Sequence, residues 1–266
     1  MKSMKYFLLV LLTLMGAHYV EARPVTLVTL GNSLTAGDGD DGIGGGYPTR
    51  LVSKLQTANP GSVLLQFGIS GDTTTDLINK QLTPAVAALN AAPSANRKIA
   101  LVWIGSNDFF GFYNYTITEA WCSGMGLEAC ENSEFGASAD NASTILAALQ
   151  ATGAALYIAL LDDQSKRPVI TEPALRAATF PNISDEYAAR MATHLSAYNS
   201  RVQAHADTYG AQTVDFFNTT IFEAPATLSD DGNHPSGAGY DAITDIWHNA
   251  VTGSSPSSSS IVPNSH

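Results

Sequence analysis

The feature that most constrains the fold is an alternation of two patterns along the chain. Five short apolar runs, Val25–Leu30, Val63–Phe67, Ile99–Ile104, Leu156–Leu161 and Thr213–Phe217, have the length of strands, and four of them are rich in β-branched residues or Phe. Between them lie stretches of helical periodicity, around Tyr47–Ala58, Thr75–Leu89, Ala142–Thr152, Asp185–Tyr209 and Ser236–Val251. In the last, Tyr240, Ile243, Thr244, Trp247 and Val251 fall on one face. Parallel strands need crossovers long enough to hold a helix, and strands covered on both faces are apolar nearly throughout. Both conditions are met. The chain is predicted to fold as one α/β domain of three layers, around a parallel sheet of about five strands. A hydrophobic content of 45% against 14% charged residues supplies the core for it and excludes a mainly disordered chain.

The two ends stand outside that domain. Lys2 and Lys5 precede the apolar run Phe7–Met15, and Val20-Glu21-Ala22 offers small residues for cleavage. This is the pattern of a secretory signal peptide over residues 1–22. The run is shorter than the ~20 residues of a spanning helix, so no transmembrane segment is expected. At the other end, residues 253–266 are Ser-rich, lack an apolar face and read as a disordered tail, which leaves a domain over residues 23–252. Two further features agree with a secreted, extracellular protein. Cys122 and Cys130 are the only cysteines, and in an oxidising compartment they are expected to form a disulfide. Four N-x-[ST] sequons, at Asn114, Asn141, Asn182 and Asn218, mark candidate glycosylation sites. A formal charge of -11 argues against nucleic acid as a partner. No His or Cys cluster lies near the cysteines to complete a metal site, and the protein is expected to act as a monomer.

Two connections, residues 106–141 and 162–184, are longer than the ~12–15 residues of ordinary loops. Both follow predicted strands, so both should rim the carboxyl edge of the sheet, where open α/β folds build their sites. The first carries Phe109, Phe110, Phe112, Tyr113, Tyr115 and Trp121. These either line an apolar substrate pocket or pack the loop onto the domain; Phe109 and Phe110 are the candidate substrate contacts. Residues Gly37 to Gly42 match G-x-G-x-x-G, yet three of the variable positions are Asp, which repel a pyrophosphate, and no helix opens there. A solvated surface loop is expected instead.

The chemistry centres on Gly31-Asn32-Ser33-Leu34, directly after the first strand. Gly31 permits a tight turn that presents the Ser33 hydroxyl. Serine needs a base within hydrogen-bond reach. His234 is the candidate, because it lies in the turn-rich Asp230-Asp231-Gly232-Asn233-His234-Pro235 segment before a helix, whereas His194, His205 and His248 fall inside helical patterns. Asp231, three residues earlier, has the spacing to bend back onto the imidazole; Asp230 is its neighbouring alternative. Gly71 after the second strand, Asn107 after the third and the Ser33 N–H are candidate oxyanion donors.

The blocks Gly31–Leu34, Gly68–Thr74, Gly105–Asp108 and Asp231–Tyr240 resemble the four signature blocks of the SGNH (GDSL-type) hydrolases, over about residues 25–251. The resemblance implies a flavodoxin-like three-layer domain with esterase, lipase or carbohydrate-deacetylase activity. It implies no metal and no cofactor, and a small-molecule or polysaccharide ester as substrate. By position, Ser33 matches the nucleophile, His234 the base, Asp231 the third triad member, and Gly71 and Asn107 the oxyanion donors. One position departs: the family usually has Asp where this chain has Asn32, which keeps the hydrogen-bonding shape and drops a charge. A secreted binding protein that kept the fold without the activity is the competing expectation.

Overall fold

A computed structural model of the chain describes residues 22–116, 122 and 124–253. Of the expected leader only Ala22 falls within it, and of the tail only Gly253; Trp121 also lies outside the described residues. Five parallel strands, β1 (Val25–Gly31), β2 (Val63–Gln66), β3 (Arg97–Trp103), β4 (Ala155–Leu160) and β5 (Gln212–Asp215), form one sheet in the order β2-β1-β3-β4-β5. This is the predicted three-layer α/β architecture. All seven residues of β1 are buried, which explains its unbroken apolar run. At the β2 edge the pattern alternates, and Val63 and Leu65 are exposed.

Helices fill the crossovers. They are α1 (Ser33–Ala36), α2 (Gly46–Ala58), α3 (Thr74–Asp76), α4 (Thr83–Ala91), α5 (Ser106–Gly111), α6 (Leu127–Gln150), α7 (Pro168–Thr171), α8 (Pro173–Thr179), α9 (Asp185–Tyr209) and α10 (Gly237–Thr252). Helices α2 and α10 pack on each other, as do α6 and α9. Helix α9 matches its predicted span because Met191, Leu195, Tyr198, Val202 and Ala206 repeat on one buried face. Among the described residues no helix is long and apolar enough to cross a membrane.

The expected long loop over residues 106–141 is a correction. Its first part is α5 followed by a π-helical turn over Phe112–Thr116, and its last part is the front half of α6. The helix up to Asn141 carries Gly136, Asp140 and Asn141, each a poor helix former. It folds because Phe135, Ala139 and Ala142 continue a stripe that Leu146 and Leu149 complete, and α9 covers the stripe. Tertiary burial here overrides local propensity. The segment 162–184 is likewise broken into a 3-10 turn at Gln164–Lys166 and the short helices α7 and α8. Cys122 and Cys130 are joined in a disulfide ahead of and within the first turn of α6.

Candidate active site

The abrupt end of β1 positions Ser33. A Cβ on Gly31 would lie 2.4 Å from the Trp103 carbonyl oxygen and 2.2 Å from Thr35 Oγ1, so glycine lets β1 stay paired with β3 up to the turn. Asn32 then caps α1, its Oδ1 accepting from the Leu34 N–H at 3.2 Å. Asn and Asp cap equally well, so the departure at this position preserves the local structure. Ser33 is the first residue of the helix and is nearly buried. Its Oγ lies 2.9 Å from His234 Nε2, across 201 positions of sequence.

His234 stands in a loop well beyond the end of β5 at Asp215. An isolated antiparallel bridge joins Leu228 to Pro235, and the Ser229 N–H donates to the His234 carbonyl at 2.8 Å. Inside this turn, Asp231 Oδ1 accepts from Ser229 Oγ at 2.8 Å, the Asn233 N–H at 2.8 Å and the His234 N–H at 2.9 Å. Asp231 Oδ2 meets His234 Nδ1 at 2.6 Å. Burial opposes ionisation of Asp231, but the hydrogen bonds from the His234 ring and the two N–H groups outweigh it and hold the carboxyl well below its ordinary range. A carboxylate accepting from Nδ1–H leaves Nε2 bare to accept the Ser33 hydroxyl proton. Of the two adjacent candidates, Asp231 is the one on the imidazole.

The remaining blocks meet at the same edge. The β1–β2 ladder runs on through the Ile69 N–H, which donates to the Gly31 carbonyl at 3.1 Å, and delivers the chain to Gly71. Gly71 has φ 84° with open space where a Cβ would stand, so backbone conformation and not crowding favours glycine there. Asn107, on the first turn of α5, donates its Nδ2 to the Asp72 carbonyl at 2.9 Å, which places it against the Gly71 turn. The neighbouring Asp108 accepts from the Thr74 N–H at 3.0 Å and Thr74 Oγ1 at 2.6 Å, tying α5 to α3; burial raises its pKa against those hydrogen bonds.

Sequence reading missed the residues that hold these blocks in place. Gln81, fully buried in the π-helical turn Leu77–Leu82, accepts from the Gly31 N–H at 3.0 Å. Its Nε2 donates to the Gly31 carbonyl at 2.8 Å and to Asp72 Oδ2 at 2.8 Å. One amide thus spans the turns bearing Ser33 and Gly71. A π-turn in an otherwise apolar helical pattern is the only signal that could have found it, and periodicity does not reveal one.

The Gly37–Gly42 stretch is a surface loop as expected, with Gly39, Asp41 and Gly42 exposed, but the Asp40 side chain turns inward and pins it as a wall of the site. The buried Asp40 carboxylate accepts from the Arg50 guanidinium and from the Gly42 and Gly46 N–H groups at 3.0 Å each. Asp41 accepts from the Gly237 N–H at 2.7 Å, and the Tyr240 hydroxyl donates to the Asp38 carbonyl at 2.8 Å. Arg50 supplies the buried positive charge that lets the Asp40 carboxylate turn inward. A Cβ on Gly39 would fall 2.7 Å from His234 Cβ, so glycine lets the wall run close beside the base of that side chain.

The candidate substrate contacts are also corrected. Phe109 is fully buried, stacked on Phe135 at 4.1 Å and edge-on to Tyr198 at 5.5 Å. Phe110 is buried against Phe180 at 4.5 Å. Phe112 and Tyr113 are buried as well, while Tyr115 is exposed, so these aromatics pack the segment onto the domain. Among the sequons, Asn114 is buried and accepts from the Asn182 N–H, which leaves no room for a glycan in the folded chain. Asn141 donates to Thr74 and Thr75 from within α6, and Asn182 and Asn218 are exposed.

This convergence of four blocks is the signature of a class, and the comparisons with known proteins bear on it directly. The GDSL-like lipase/acylhydrolase family matches residues 29–242, most of the chain, and the protein belongs to that family. It is a carboxylic ester hydrolase. No curated protein sequence matches it. Solved structures share the fold at low identity. An α/β hydrolase from the metagenome of Lake Arreo, Spain, has 22% identity and a TM-score of 0.59, covering 89% of this chain and 98% of its own. An acetyl xylan esterase from Geobacillus stearothermophilus has 19% identity and a TM-score of 0.57, covering 84% and 92%. A lipase from a goat rumen metagenome has 18% identity and a TM-score of 0.61, covering 85% and 97%.

Proposed function

We propose that the protein cleaves carboxylic esters through an acyl-enzyme on Ser33. The observation that carries this reading is the unbroken line from Ser33 Oγ to His234 Nε2 at 2.9 Å and from His234 Nδ1 to Asp231 Oδ2 at 2.6 Å. Ser33 Oγ attacks the ester carbonyl carbon while its proton passes to His234 Nε2. Asp231 holds the imidazole in the correct tautomer and stabilises the imidazolium. The Ser33 and Gly71 N–H groups and the Asn107 amide receive the oxyanion. Collapse expels the alcohol, which takes the proton from His234. Water, deprotonated by the same imidazole, then releases the acid and restores Ser33. Replacing Ser33 by Ala should abolish hydrolysis of p-nitrophenyl acetate and labelling by a fluorophosphonate while leaving the melting temperature in place. Turnover close to wild type in that variant would refute the assignment, and a wild-type protein that resists the probe would favour the non-catalytic binding protein.

The substrates on this reading are short- to medium-chain acyl esters or lipids. A second reading, removal of O-acetyl groups from polysaccharide, is favoured by one observation: Phe109 and Phe110 are core residues and offer no apolar channel to a long acyl chain. Comparing p-nitrophenyl esters of rising chain length with acetylated xylan separates the two. Export is part of the proposal, with a leader over residues 1–22, the hydrolase domain over 23–252 and a tail over 253–266. The disulfide, and the exposed sequons at Asn182 and Asn218, suit an oxidising, extracellular setting. Amino-terminal sequencing of protein recovered from culture medium tests it, and a chain that still begins at Met1 counts against it.

A further inference from the structure

The imidazole of a serine hydrolase must be held to within a fraction of an ångström, yet His234 lies on a loop that no strand feeds. We infer that Arg167 is the positioning residue that registers this loop to the sheet. This rests on the roles proposed above for Ser33 and His234. Arg167 is 2% exposed. Its Nε and Nη2 grip both oxygens of Asp162 at 2.8 and 2.7 Å, and Asp162, itself buried, comes just after the end of β4. Its remaining nitrogen, Nη1, donates to Asn233 Oδ1 at 2.8 Å and to the Asn233 carbonyl at 3.1 Å. Asn233 precedes His234 and also gives its N–H to Asp231. The guanidinium lies over the Phe222 ring at 4.4 Å and the Phe110 ring at 5.7 Å. One planar group therefore links the end of β4 to the residue beside the imidazole, and Phe110 serves as its support. The next residues reinforce the same contact: the Val169 N–H donates to the Gly232 carbonyl at 2.9 Å.

A guanidinium can hold a carboxylate with one edge and a carbonyl with another, whereas an ammonium cannot span both partners in fixed geometry. The arrangement touches neither substrate nor the reacting atoms. It acts by keeping Nε2 on the line to Ser33 Oγ, so its loss should appear in kcat and not in KM.

Three single variants and one double variant test this. In Asn233→Ala the Arg167–Asp162 pair and the backbone carbonyl survive, so the fold is kept. We expect kcat on p-nitrophenyl acetate to fall about tenfold with KM within twofold, and the rate of fluorophosphonate labelling to fall in step. Asn233→Asp retains the acceptor and should recover kcat to within about threefold of wild type. Arg167→Lys should lower kcat at least as far as Asn233→Ala, and the two changes together should do little more than the larger one alone. Wild-type kcat in both Asn233→Ala and Arg167→Lys, a loss expressed through KM, or a loss of equal size in Asn233→Asp overturns the inference. A wild-type protein that neither turns over the ester nor reacts at Ser33 sinks the hydrolase reading instead, and is seen before any variant is made.

Discussion

The two halves of the site are built by different means. Ser33 is placed mainly by its own stretch of chain: β1 ends at Gly31, Asn32 caps the next helix, and one remote side chain, Gln81, braces the turn. His234 is placed remotely. Its turn is closed by Asp231, but the turn's position in the molecule depends on Arg167, on α7 and on the Gly37–Gly42 wall, all distant in sequence. A nucleophile fixed by the backbone and a base fixed by side-chain clamps should fail in different ways. Damage to the first should lower activity and fold together, since the same hydrogen bonds hold the sheet edge. Damage to the second should lower activity first.

The largest expected effect lies on the base side. Asp231→Asn leaves the turn's shape but presents the wrong hydrogen-bonding partner to Nδ1, and kcat should fall on the order of 10⁴-fold. A fall below tenfold would show that Asp231 does not govern the imidazole. Next comes Asn107→Ala on the other side, which removes one proposed oxyanion donor and should lower kcat about 10²–10³-fold with little change in KM. A change confined to KM would move Asn107 from the oxyanion to ground-state binding.

Gln81→Ala is the sharper test of the contrast. It leaves the buried Gly31 N–H without its acceptor, at about 1–3 kcal/mol, and for a domain of this size that lowers the melting temperature by roughly 5 °C. A parallel loss of kcat, about tenfold, is expected because the turns of Ser33 and Gly71 share that amide. If stability falls and kcat does not, the nucleophile side is less dependent on its backbone frame than the comparison holds.

The smallest effect concerns the wall between the halves. The Arg50 guanidinium beside Asp40 holds its carboxyl below the ordinary range, against burial. A depressed native pKa contributes stability above the unfolded value of about 3.9, and that contribution is lost as pH falls through the lower native value. In thermal melts from pH 7 to 2, wild type should exceed Asp40→Asn near neutrality and converge with it at the acid end. A gap that stays constant with pH would remove the ion pair from the account.

Much of this was legible beforehand, and unevenly. Strands and the long helix α9 were readable because burial of a whole strand, or of one helical face, writes a repeating apolar pattern into the chain. The front of α6 was not, since Gly136, Asp140 and Asn141 argue against a helix that only the cover of α9 makes stable. Phe109 and Phe110 could be assigned to a loop but not to its inner or outer side. Gln81, Arg50 and Arg167 could not be singled out, because each joins a nearby partner to one that sits far away along the chain.

Local chemistry by itself therefore determined the layers, the turn that presents the serine and the Asp-to-His spacing, all of which are set by neighbours within a few residues. Only the tertiary structure decided which carboxylates turn inward, which aromatic rings are core and how the imidazole meets the hydroxyl. Those outcomes depend on burying charge beside charge and ring against ring across long stretches of chain, and a linear pattern does not encode such pairings.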